Sequence, residues 1–131
     1  MMLLDTHVWV RWLDPEVKPL PQGLLNQIAT ASTLAVSAIS CWEVAWLHRR
    51  GRIELTVPLE EWMDWALADS GVICLPVQRE IAVLSASLPE HHRDPADRMI
   101  IATAIHHGIQ LASLDAAYSE YQEVSAFLIR L

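Results

Sequence analysis

The chain has 131 residues, 9 Lys+Arg against 16 Asp+Glu, two cysteines and 53% hydrophobic residues, for a formal net charge of −7. That length makes one domain, 1–131, able to bury a core without disulfides or a structural metal, and the 19% charged fraction excludes disorder. No apolar run exceeds four residues, which excludes a membrane-spanning helix, and Met1-Met2-Leu3-Leu4-Asp5 lacks the basic and long apolar stretches of a signal peptide.

The elements follow in chain order. Met2–Leu4 reads as a buried strand that stops at Asp5. Val8, Trp9, Trp12 and Leu13 keep helical spacing until Asp14-Pro15 breaks it, and residues 15–21, with three prolines, read as a loop. Leu24, Leu25, Ile28 and Ala29 mark a second helix, and Leu34–Ser37 a second strand. Ser40-Cys41-Trp42-Glu43 opens a helix that runs to Arg50 and stops at Gly51. Leu59, Trp62, Met63, Ala66 and Leu67 give the best helical periodicity, ended by Gly71. Val72-Ile73-Cys74-Leu75 is a third strand closed by Pro76, and Ile81, Leu84 and Leu88 define another helix. Residues 95–107, apolar on most faces, form a central helix stopped by His107-Gly108. A fourth strand spans 109–113, and a fifth at the edge spans 126–129. Short strands separated by helices predict an α/β fold: three layers, α/β/α, around a short, mainly parallel four- to five-stranded sheet. A cytoplasmic enzyme or interaction domain is expected, with Cys41 and Cys74 as buried free thiols in place of a disulfide.

The charge of −7 speaks against non-specific nucleic-acid binding unless the negative charge is concentrated to hold a cation. Position is therefore informative. In an open parallel sheet, ligands bind beyond the carboxyl ends of the strands, and acids gather there: Asp5, Glu43, Asp94, Asp97 and Asp115. Each also has a structural explanation. Asp5 fits an N-cap, and Ser40 with Glu43 fits a capping box. Asp94-Pro95-Ala96-Asp97 fits a cap, proline at the first helical position and an acid favoured by the helix dipole; Asp94 fits capping best and is left in that role. Asp115 fits a turn. Both explanations place these acids on the same edge. Four carboxylates crowded together would repel one another, and a hard divalent cation relieves that repulsion. Carboxylate-held Mg²⁺ or Mn²⁺ supports phosphodiester cleavage. No G-x-S-x-G, phosphate-binding loop or dinucleotide turn competes.

Four segments together resemble the successive motifs of the PIN domain, in the right order and spacing: Leu3-Leu4-Asp5-Thr6, the run from Ser37 to Glu43, Asp94-Pro95-Ala96-Asp97-Arg98-Met99-Ile100-Ile101-Ala102-Thr103-Ala104, and Leu111-Ala112-Ser113-Leu114-Asp115. The nearest resemblance is to the VapC-type ribonuclease toxins of toxin–antitoxin pairs. It implies Asp5, Glu43, Asp97 and Asp115 as metal-binding catalytic acids, with Thr6 and Ser113 supporting the metal or its water. It further implies Mg²⁺- or Mn²⁺-dependent cleavage of RNA, homodimerisation and inhibition by a VapB-type antitoxin.

Other features keep two readings. Arg49, Arg50 and Arg52 either suit a helix C-terminus or contact phosphate beside Glu43. Arg93 and Arg98 flank the central acids and either grip phosphate or, for Arg98, pair with a carboxylate. His91-His92 and His106-His107 are poor zinc pairs, because adjacent helical residues point about 100° apart. The six tryptophans read mainly as core. Trp42 and Trp46 lie on a helix apolar on too many sides for one core, which points to a partner face, with base stacking as a weaker reading. Two rival functions stand beside the nuclease: an interaction domain whose acids only cap helices, and a receiver-like phospho-acceptor. The second needs a lysine at its last strand, and the only lysine here is Lys18.

Overall fold

The structure, a computed structural model, describes residues 1–16, 18–91, 93–115, 118, 121 and 128. Strand β1 (Met2–Leu4) is buried along its whole length and lies in the middle of the sheet. Its pleat divides the molecule: Met2 and Leu4 face one hydrophobic core, Leu3 the other. Helices α1 (Thr6–Leu13) and α2 (Gln22–Thr30) lead to β2 (Leu34–Ser37), and α3 (Ala38–Arg49) and α4 (Leu59–Ala66) lead to β3 (Val72–Leu75). Then α5 (Arg79–Ser87) and α6 (Pro95–His107) lead to β4 (Gln110–Ala112).

The strand order is β3-β2-β1-β4 and every ladder is parallel, with Leu3 opposite Ala35 on one side and Leu111 on the other. Helices α1, α2 and α4 cover one face through Trp9, Leu24 and Trp62; α5 and α6 cover the other through Ile81, Ile100 and Ile101. Helix α3 lies at the seam, giving Val44 to the first core and Ile39 to the second. These are the three expected layers. The first core is organised by Trp9, whose ring meets Trp62 edge-on at 5.1 Å and whose indole N–H donates to the Ala66 carbonyl at 3.1 Å.

Several boundaries differ from expectation for physical reasons. Helix α3 begins at Ala38, not Ser40, because β2 runs straight into it: Ser37 ends the strand in extended geometry and its hydroxyl caps the helix by accepting from the Ile39 N–H at 3.2 Å. Ser40, fully buried, touches Thr6 instead. Helix α4 ends at Ala66, and a 3₁₀ turn over Ala68–Ser70 intervenes before Gly71, whose φ of +69° makes the left-handed stop. The fourth strand is shorter than 109–113. Most of the fifth, 126–129, lies outside the described residues, but Leu128 forms a parallel bridge to Leu111. Both cysteines are free; Cys41 is partly buried and Cys74, on edge strand β3, is exposed, with their sulfurs 3.9 Å apart. Burial pushes the Cys41 thiol up to about 12, and the neighbouring Cys74 adds to the rise. Trp9 and Trp62 are core residues, whereas Trp42, Trp46 and Trp65 are exposed.

Candidate metal centre

Because β4 lies beside β1 on the side away from β2, the strand order reverses between β1 and β4, and a crevice opens at their carboxyl ends. A cavity of about 240 Å³ occupies that position, lined by Asp5, Glu43, Asp97 and Asp115 together with Asp94, His7, Leu114 and Tyr118. Four separate segments thus deliver the four acids singled out above to one cavity.

Asp5 follows β1 directly and caps α1: its Oδ1 accepts from the Val8 N–H at 2.8 Å, and the Ser113 hydroxyl also bonds its carboxyl. It is 5% exposed. Burial raises its pKa, and Asp97 adds to that, against the lowering influence of Ser113, the Val8 amide and His7. Glu43 stands in the second turn of α3, beyond the reach of a capping box. Its Oε1 is 2.5 Å from Thr6 Oγ1, which is itself 2.8 Å from Ser40 Oγ. Burial is again the main cause of a raised pKa; the Thr6 bond opposes it and the charges of Asp97 and Asp94 reinforce it.

Asp94 caps α6, accepting from the Ala96 N–H at 2.9 Å, and Asp97 lies in the first turn of that helix. Capping does not exhaust Asp94: Glu43, Asp94 and Asp97 each present a carboxylate oxygen within 4.8 Å of the others. Asp115 is exposed, after β4, where its N–H donates to Ser113 Oγ at 3.0 Å. Ser113 thus ties the last acid to the first. Tyr118 and His7 are the cavity residues that sequence reasoning missed. The Tyr118 hydroxyl donates to Asp97 Oδ1 at 2.8 Å.

The donor set is carboxylate oxygen, the chemistry of a hard divalent cation. Ligands of Mg²⁺ at about 2.1 Å lie at most about 4.2 Å apart, so three oxygens already within 4.8 Å need only small adjustments. The buried acids fit too, since a cation offsets the desolvation that disfavours their charged forms.

The basic residues lie elsewhere, and none of the five candidate phosphate contacts is among the described lining of this cavity. Arg98 turns to the end of α5, where its guanidinium donates to the carbonyls of Ser85, Ala86, Leu88 and Pro89. Arg50 lies over the Trp46 ring at 4.2 Å from its centroid. Arg49 follows Glu43 by six residues, about 9 Å along the helix axis. Arg52 lines a larger cleft of about 350 Å³ with Arg11, Lys18 and Trp62. Arg93 is exposed beside Asp94. The Trp42 and Trp46 rings stack at 5.7 Å on the exposed side of α3. His106 and His107 end α6, on the far side from Asp97, and His91 meets the Tyr121 ring edge-on; His92 lies outside the described residues.

Comparison with known proteins bears on the family and the fold. Ribonuclease VapC22 of Mycobacterium tuberculosis (strain ATCC 25618 / H37Rv) is 39% identical over 115 residues, covering 87% of this chain and 86% of that protein. Two solved structures share the fold at low identity. VapBC2 from Rickettsia felis, bound to a DNA fragment from their promoter, aligns over 98% of both chains with a TM-score of 0.69 and 14% identity. A toxin–antitoxin complex from Klebsiella pneumoniae aligns over 99% of this chain and 97% of its own with a TM-score of 0.65 and 18% identity. The PIN domain family itself matches residues 2–124, nearly the whole chain including all the acids of the cavity, and the chain belongs to that family.

Proposed function

We propose that this PIN domain is a Mg²⁺- or Mn²⁺-dependent endoribonuclease, the toxin of a VapBC-type pair. In this reading it acts in the cytoplasm as a homodimer and is restrained by a VapB-type antitoxin. The observation that carries the reading is the convergence of Asp5, Glu43, Asp97 and Asp115 on one cavity at the switch point of the sheet. A relative 39% identical bears the name ribonuclease, and the similar solved structures are toxin–antitoxin complexes. No helix among the described residues is long and apolar enough to cross a membrane.

The four acids, with Asp94 as a fifth candidate, would hold the cation. Bound there, it supplies charge neutralisation for the scissile phosphate and a polarised water for attack on phosphorus. The chain's own groups do the positioning. Thr6 and Ser113 hold Glu43 and Asp5 by hydrogen bonds. The N-termini of α1 and α6 bring their positive dipole ends to the cavity rim, where RNA phosphate would lie. Arg49, Arg50, Arg52 and Arg93 remain candidate contacts for more distant phosphates, and Trp42 with Trp46 a candidate partner face. Against the interaction-only alternative, capping accounts for Asp5 and Asp94. It leaves Glu43 unexplained, a half-buried acid in the second turn of its helix.

The test is RNA cleavage by the purified protein with added Mg²⁺ or Mn²⁺. Asp5→Asn and Asp97→Asn, with folding verified by circular dichroism, are each expected to reduce cleavage by at least about 100-fold, since even outer partners of metal ligands cost about 10–100-fold. Cleavage undiminished in both variants overturns the assignment.

A further inference from the structure

We propose that Tyr118 is a positioning residue of the metal centre: its phenol hydroxyl, bonded to Asp97 Oδ1, fixes that carboxylate in the orientation in which it meets a divalent cation together with Glu43 and Asp94. The inference rests on the metal-dependent reading above and assigns a role to a residue outside the four acids.

The geometry supplies the reasons. Tyr118 is 1% exposed and belongs to the second core, with Leu3, Ile100 and Leu111, yet it also lines the acidic cavity. Packing alone would be served by phenylalanine. The oxygen makes the difference, and it ends on an acid of the cavity at 2.8 Å, 21 positions away in sequence. A tyrosine ring has few rotatable bonds, so a buried one holds its hydroxyl nearly fixed in space. A carboxylate that gives one oxygen to such a donor is no longer free to rotate, and its other oxygen keeps a set direction. The same arrangement recurs at the neighbouring acids: Thr6 beside Glu43 and Ser113 beside Asp5. Three carboxylates therefore each have a hydroxyl from a different segment of chain. Burial, with the charges of Asp97, Asp5 and Asp115, raises the Tyr118 pKa, so the phenol keeps its proton and remains a donor. Without that donor, Asp97 would turn away from Glu43 and Asp94, whose like charges lie within 4.8 Å.

The experiment measures Mn²⁺ affinity by isothermal titration calorimetry in wild type and Tyr118→Phe, without RNA. An outer hydrogen-bond partner of a metal ligand is worth about 10–100-fold in affinity, so a loss of about tenfold is expected, with little change in the metal-free melting temperature. A merely structural tyrosine would give the opposite pattern, a lower melting temperature and unchanged Mn²⁺ affinity, which overturns the inference. Because Tyr118 acts through Asp97, the Phe substitution is expected to change affinity by less than about twofold in an Asp97→Asn background; a full additional loss there also overturns it. A measurement on protein that keeps Tyr118 guards against misfolding of the Phe variant. The chain has two tyrosines, so Tyr121→Phe leaves Tyr118 alone. Its ultraviolet Raman doublet, which reports phenol hydrogen bonding, is expected to shift during Mg²⁺ titration. A doublet blind to Mg²⁺ counts against the inference. If wild type itself takes up no Mn²⁺, the metal-dependent reading fails and carries this one with it; Mn²⁺ uptake equal in wild type and Tyr118→Phe defeats this one alone.

Discussion

Asp5 and Glu43 are carboxyls placed where water cannot fully solvate their charge, and both have raised pKa values for that reason first. A carboxyl with a raised folded-state pKa stabilises the fold in its protonated form. That contribution is present at low pH and is lost as pH rises through the raised value. The metal-free protein is therefore expected to melt at higher temperature as pH is lowered from neutrality towards the ordinary carboxylate range. Mg²⁺ or Mn²⁺ should flatten the trend by stabilising the charged forms, and Asp5→Asn should remove much of it. Thermal denaturation with and without chelator checks this; a metal-free profile insensitive to Asp5→Asn would show that the buried charge is relieved by other means. Asp5, Asp97 and Asp115 were legible because each follows a strand end or lies in the first turn of a helix, positions that the hydrophobic pattern marks; Glu43, in the second turn of α3, was legible through the motif that runs from Ser37 to it. Tyr118 was not: with Tyr121 three residues on it reads only as a core aromatic, and nothing in its neighbours announces a bond to Asp97. Asp94 was half legible, since the capping rule describes its bond to Ala96 and is silent on its closeness to Glu43. Arg98 stands beside the acids in sequence, but a charge does not reveal which way its side chain turns.

At the scale of elements, α3 carries the clearest lesson. Its hydrophobic pattern and Gly51 stop were readable, but the S-x-x-E match at Ser40 and Glu43 drew the start two residues too late. The pattern was formally correct; the strand and helix are contiguous, so the cap is the strand's own last residue, Ser37. The displacement matters to the site, because it moves Glu43 from the first turn into the second and frees it from capping. Ser37→Ala is expected to cost about 1 kcal/mol, the usual worth of an N-cap hydroxyl, and to speed hydrogen exchange at the Ile39 amide. Ser40→Ala should leave that amide protected and instead disturb Thr6, which shares its contacts between Ser40 and Glu43. Exchange at Ile39 that responds to Ser40 and not to Ser37 would restore the capping-box start. The other helices and the strands β2 and β3 were legible because turn residues and prolines bracket their apolar runs. The order β3-β2-β1-β4 was not, since strand neighbours are chosen by crossovers that composition does not encode.

At the scale of the whole molecule, charge and exposed apolar surface act in opposite directions. Each copy carries −7, so two copies repel, while Trp42 at 53% exposure and Trp46 at 40% present stacked indoles that water solvates poorly. If α3 pairs with α3 of a second copy, burial of the four indoles drives association and the net charge resists it. Salt screens the repulsion and leaves the apolar contribution in place. Dimerisation is therefore expected to tighten as NaCl rises from about 0.05 to about 0.5 M, the reverse of an interface built on ion pairs, because the Debye length falls from roughly 14 Å to roughly 4 Å. RNA affinity should move the other way, since phosphate contacts weaken with salt. Sedimentation velocity across that range tests the sign. Trp42→Ala with Trp46→Ala should leave the monomer folded and abolish the dimer at both salt concentrations. A dimer that loosens with salt, or survives loss of both indoles, would place the contact on another face. That outcome would leave the stacked pair and the Arg50 guanidinium over it as a platform for RNA bases or for the antitoxin.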